Sequence, residues 1–152
     1  MTNLIFRAWD KENKKMQDME NPTYSLPPGL DRDIADLSWF LWTLEEHDED
    51  GHPDGGAKEG KYILMQYTDL NDKNGKKIYE GDIVTYSMLG FDDEIKKEYN
   101  NQFRGFIVYS DCQFKIQYSQ SELSKSFHYL NMAQNIKVVG NKWENPKLIK
   151  LK

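Results

Sequence analysis

Cysteine occurs once in this sequence, at Cys112, which excludes an internal disulfide and fits a reducing cytoplasm. Long apolar runs are missing too. The longest, Trp39-Phe40-Leu41-Trp42, is far too short to span a bilayer. The N-terminus, MTNLIFRAWDKENKK, has neither the apolar stretch of a signal peptide nor the character of a transit peptide. These absences predict a soluble, cytoplasmic protein with no membrane partner. Alanine is scarce, at positions 8, 35, 57 and 133 only, whereas Tyr, Phe, Ile and Val are plentiful. That balance favours pleated, half-buried surfaces over helix bundles. With three histidines and one cysteine, no nucleophilic site can be picked out, and no G-x-S-x-G elbow is present.

What is present is enough for one domain spanning 1–152. Apolar residues make up 38% of the 152 positions, so the core must be economical, and nine tyrosines, seven phenylalanines and four tryptophans supply much of it. The net charge of −5 is unevenly placed. Residues 1–60 hold 14 acids against 6 bases, while Arg104 to Lys152 hold 8 bases against 3 acids. A basic half of this kind can be a binding face, but packing of the two halves against one another masks the same asymmetry.

Hydrophobic periodicity divides the chain. Residues 3–9, NLIFRAW, alternate with period two and predict a strand with both faces partly covered. A turn at 10–14, with Asn13 taking the positive φ, returns the chain through 15–19 as a hairpin. Ile34, Leu37, Leu41 and Leu44 step by three and four, predicting an amphipathic helix over 31–46. Strand character resumes at 61–67, and Asn74-Gly75 supplies the positive φ angles of a tight hairpin turn. Residues 78–79 and 82–86 continue it, with a bulge or bend at Gly81. Two further strands, 104–109 and 114–118, flank a turn at 110–113. A short helix is expected near Ser121, and 136–139 is the last clear strand. The segments DKENKKM (10–16) and DKNGKKI (72–78) echo one another, as two hairpins sharing one turn chemistry would.

Four stretches invite a chemical reading. Residues 55–62 have the glycine and Gly-Lys spacing of a phosphate-binding loop, but Tyr62 stands where a hydroxyl must meet magnesium, and a strand follows in place of a helix. The acidic loop around His47 and His52 fails as a calcium loop: counted from Asp50, its twelfth position is Lys61, where a glutamate is required. Glu80 and Asp82 form a paired-carboxylate motif suited to magnesium or acid–base work, yet no other ligand or base converges on them by spacing. They are expected to flank the Gly81 turn and face water. Finally, Phe106, Tyr109, Phe114, Tyr118, Phe127, Tyr129 and Trp143 alternate with bases from Arg104 onward. Aromatics on a basic sheet can stack nucleic-acid bases, although the same rings are the large core-formers of that half.

Three stretches together resemble the YopX-like family of phage and prophage proteins: FRAWDKENKKM (6–16), ILMQYTDLNDKNGKKIYEGDIVTY (63–86) and VVGNKWENPKLI (138–149). Asp69 departs from the resemblance, standing where glycine is more usual after Tyr-Thr, which suggests that this segment does not need glycine's backbone freedom. The resemblance implies a small, mainly β protein of phage or prophage origin, and it implies no activity and no catalytic residues. The expected fold is mainly β (α+β): a twisted, hairpin-rich sheet or barrel-like core centred on the hairpin at 62–86, with one or two covering helices. No catalytic, cofactor-binding or metal-binding residue is assigned. The expected function is a non-catalytic interaction module with a host or phage protein as partner, the alternative being nucleic-acid binding through the basic aromatic half. Homo-oligomerisation stays open.

Overall fold

The computed structural model describes residues 5–18, 61–88, 102–118 and 126–149. The chain divides into two compact units, residues 1–66 and 67–152. Nine strands are described: β1 (Phe6–Asp10), β2 (Lys15–Asp18), β3 (Tyr62–Asn71), β4 (Lys77–Tyr79), β5 (Asp82–Met88), β6 (Phe103–Ser110), β7 (Gln113–Gln117), β8 (Phe127–Tyr129) and β9 (Ala133–Asn141). Every pairing is antiparallel. The mainly β expectation is thereby met. No α-helix occurs among the described residues, which hold two 3₁₀ turns, Leu130–Met132 and Pro146–Ile149. The helix expected over 31–46 lies outside the described residues. The one expected near Ser121 does not reach 126–135, where β8, a 3₁₀ turn and the start of β9 stand instead.

In the first unit β1 pairs with β2 on one side and with residues 62–66 of β3 on the other. Arg7, Ala8, Trp9 and Asp10 are all buried, so β1 is covered on both faces as its sequence implies. Asp10 closes the β1–β2 turn. Its Oδ1 accepts the amides of Glu12 and Asn13, both at 2.9 Å, and its Oδ2 accepts the Asn13 side-chain amide at 2.8 Å. The positive φ belongs to Lys14 (53°), not Asn13, whose role is to grip the carboxylate.

In the second unit β3 and β4 form a hairpin whose register slips between the pairs Tyr67↔Tyr79 and Asn71↔Lys77. The extra residues of β3 form a bulge in which Asp69 takes a φ of 63°. Glycine-like freedom is therefore needed here after all, and aspartate provides it because its short polar side chain tolerates the left-handed region. The Thr68 hydroxyl donates to the Ile78 carbonyl at 2.9 Å across the bulge. At the hairpin tip only Gly75 has positive φ (82°); Asn74 does not.

The stretch 62–86 is not one central hairpin. The hairpin ends at Tyr79, and Gly81, with a φ of 79°, turns the chain into β5 of a second sheet, ordered β8-β7-β6-β5-β9. A Cβ at Gly81 would collide with Trp143 Cζ3, so glycine is required by backbone angle and by packing together. The Gly81 amide donates to Ile107 O at 2.8 Å, and its carbonyl accepts the Lys142 amide at 3.0 Å. The expected neighbours are otherwise in place: β1 lies beside β3, and 136–139 within β9 lies beside β5.

The core of this unit is Ile78, Val84, Tyr86, Ile107, Ile116, Leu130, Ile136 and Val138. Alternation along β5, β6 and β7 brings Val84, Tyr86, Ile107 and Ile116 to one face, as period-two side-chain placement demands. The outer edge of β9 is closed by the β3–β4 turn. The Lys73 amide donates to Ile136 O at 2.8 Å, and Asp72 Oδ2 accepts the Val138 amide at 3.0 Å. At Ile136 and Val138 the edge is thus already paired, which blunts it against pairing with another chain.

Candidate functional site

Of the stretches singled out from sequence, the loop around His47 and His52 and residues 55–60 lie outside the described residues; Tyr62 opens a strand, as expected. Glu80 is half-buried at the Gly81 turn, but Asp82 is only 1% exposed and does not face water. Its Oδ2 accepts the Tyr79 amide at 2.9 Å, bracing the corner between β4 and β5. Asp72 is likewise buried rather than solvated. Cys112 is exposed in the β6–β7 turn, where it and Asp111 have φ of 61° and 50°. Among the described residues no three His, Cys, Asp or Glu side chains gather in a way that could hold a metal.

The seven aromatics of the basic half do not share a face. Registers put Tyr109 and Phe114 on the core side with Ile107 and Ile116, and Phe106 and Phe127 on the opposite side with Gln117. Phe106 is buried beneath the Lys142 ammonium, 4.7 Å from the ring centroid. Trp143 packs on Gly81. Much of the set is therefore structural. Three of the rings are exposed: Tyr109 at 51%, and Phe127 and Tyr129 at 38% and 51%, the latter two sharing one face of the three-residue edge strand β8. Lys115 lies opposite Tyr129 on β7, with its ammonium 5.7 Å from the Phe127 ring centroid and 2.6 Å from Asp111 Oδ2. That ion pair and hydrogen bond hold the Asp111 carboxyl below its usual range. Two rings and one ammonium thus form a compact amphipathic corner. Arg104 and Lys137, both exposed, lie opposite Thr85 on its two sides, making a separate basic row.

The middle residue of β8, His128, points the other way. Its Nδ1 is 2.9 Å from the Tyr86 hydroxyl, its ring stacks on Tyr118 at 4.1 Å between centroids, and Phe103 meets it edge-on at 5.2 Å. Tyr86 is 1% exposed, and burial, with a smaller contribution from Tyr118, pushes its phenol far above the ordinary range. The phenol keeps its proton, and in the tautomer with hydrogen on Nε2 it donates that proton to Nδ1. Burial also lowers the His128 pKa below its ordinary 6.5. Sequence reasoning missed this pair. Its members stand 42 positions apart, and no spacing rule connects them.

The profile of the family described as YopX protein matches residues 5–150. Among solved structures, protein EF1440 from Enterococcus faecalis is similar with a TM-score of 0.51 and 26% identity, covering 97% of this chain and 98% of that one. Protein yopX from Bacillus subtilis is similar with a TM-score of 0.51 and 18% identity, covering 99% and 100% of the two chains, a likeness of fold. No curated protein matches the chain. No helix among the described residues is long and apolar enough to cross a membrane.

Proposed function

The chain belongs to the YopX protein family, and from that premise we propose that it is a phage- or prophage-encoded accessory protein that binds another macromolecule in the bacterial cytoplasm without catalysing a reaction. The supporting observation is the β8 corner, where Phe127 and Tyr129 stand exposed side by side with Lys115 between their strand and the next turn. Aromatic side chains are the usual anchors of protein interfaces because each removes a large apolar area from water at little conformational cost. A partner protein that covers both rings and offers the Lys115–Asp111 pair a polar rim fits this corner.

The test is an affinity pull-down from bacterial lysate, with and without nuclease, using the wild type and the double variant Phe127→Ala/Tyr129→Ala. A partner kept after nuclease and lost by the variant is expected. A partner that ignores the variant overturns the assignment of the corner. Turnover of a screened substrate, abolished by Glu80→Ala or Asp82→Ala in a still-folded protein, overturns the non-catalytic reading.

A second reading takes nucleic acid as the partner, supported by the exposed Arg104 and Lys137 across one row of the sheet. It requires affinity that falls steeply with salt, because released counterions drive such binding. Binding insensitive to salt removes it.

A further inference from the structure

We propose that His128 is an acid-sensitive latch on β8: neutral, it ties the strand into the sheet through Tyr86, and protonated, it loosens Phe127–Tyr129 from β7. Three observations carry this. First, β8 is three residues long and pairs, among the described residues, with β7 alone, through Lys115↔Tyr129, Ile116↔His128 and Gln117↔Phe127. So short an edge strand has little cooperative support of its own. Second, its rings at 127 and 129 lie on the outer face, so His128 is the side chain by which β8 reaches the core, across β7 and β6 to Tyr86 on β5. Third, the arrangement suits a neutral imidazole better than a charged one. A proton on Nδ1 turns the acceptor into a donor; the phenol oxygen can accept from it, but the hydroxyl hydrogen then loses that acceptor in a buried place.

The titratable and charged groups on the strands around His128 are few. They are Asp82 and Tyr86 on β5, Arg104 and Tyr109 on β6, Lys115 on β7 and Tyr118 just beyond it. Among the described residues the rings of Tyr86, Tyr118 and Phe103 touch the imidazole. Asp82 is four positions back along β5, and Arg104 and Lys115 project from the opposite face. Among the described residues no carboxylate is set to compensate the imidazolium. Partial burial opposes the charge and lowers the His128 pKa. A histidine whose folded pKa lies below its unfolded one contributes its full stabilisation above that unfolded value. The contribution shrinks as pH falls through the interval between the two. The latch is therefore closed above the ordinary 6.5 and weakens below it.

Because β8 carries Phe127 and Tyr129, any control of docking rests on the reading proposed above. The latch itself is tested without a partner, by amide hydrogen exchange of the full chain, followed by NMR from about pH 7.5 to about pH 5 and corrected for intrinsic exchange. In the wild type, protection of the 127–129 amides relative to Ile107 is expected to fall by up to about tenfold per pH unit below the ordinary histidine pKa. His128→Gln, which offers Tyr86 an acceptor and cannot titrate, is expected to keep a flat ratio. A flat wild-type ratio, a fall shared equally by Ile107, or a persistent fall in the glutamine variant overturns the proposal. A direct titration of His128 in the wild type needs no variant: a pKa below 6.5 is expected, and one at or above 6.5 overturns it as well. Loss of the partner in the pull-down bears on the docking reading alone.

Discussion

The two units solve one local problem with nearly the same words. DKENKKM in the first and DKNGKKI in the second both open with an aspartate that takes up amide hydrogens of the turn it begins. Asp10 spends both oxygens locally, on Glu12 and Asn13. Asp72 spends one locally, on the amides of Asn74 and Lys76 at 2.8 and 3.0 Å, and sends the other to Val138, 66 positions away. The first aspartate makes a turn. The second makes a turn and fastens it to the edge of another sheet. The positive φ also moves, from Lys14 to Gly75, because the two loops differ in length: Asp10 pairs with Lys15, whereas Asn71 pairs with Lys77. A shared motif fixes the local chemistry and leaves the global role undecided.

The largest expected effect tests that asymmetry directly. Asp72→Ala should destabilise the protein by about 3 kcal/mol, since it opens the turn and leaves the Val138 amide buried and unpaired. Asp10→Ala should cost about 1–2 kcal/mol, because its lost partners lie in the turn. Equal losses in urea denaturation would break the comparison.

Acid sharpens it further. For both aspartates burial raises the carboxyl pKa, but the donated amide hydrogen bonds outweigh it, and the net pKa lies below the ordinary 3.8. Each therefore contributes stability that is complete above that value and is lost as pH falls from there through its lower folded pKa. Asp72→Asn should flatten this acid limb of the stability profile. An unchanged limb would mean that other carboxylates dominate acid unfolding.

Smaller, opposite effects are expected at the positive-φ positions. Gly75→Ala should cost about 1 kcal/mol, whereas Lys14→Gly and Asp69→Gly should each gain up to about 1 kcal/mol by relieving a left-handed backbone. Thermal midpoints of the three variants check the signs. A loss in Asp69→Gly would show that the side chain contributes more to the bulge than its backbone strain costs.

How much of this was legible beforehand differs by element. The strands at 104–109 and 114–118 and the turn between them were readable, because alternation and turn residues are local properties. The corner at Gly81 was half readable: glycine announced a bend, but not that the chain leaves one sheet for another there. Asp82 is expected from sequence to face water, since charge in a turn usually does, and the Tyr79 amide that makes its burial tolerable, like the Val138 amide on Asp72, is placed by the fold. Asp69 was misjudged because its residue type does not report φ.

The sequence by itself determined the mainly β class, the family and the turns, because periodicity, glycine and aspartate act within a few residues of where they stand. Tertiary structure decided which aromatics are core and which are exposed, that β9's edge is closed by a turn from far upstream, and that Tyr86 meets His128. Those outcomes depend on strand order and register, and pairing between segments tens of residues apart leaves no mark in any short stretch of chain.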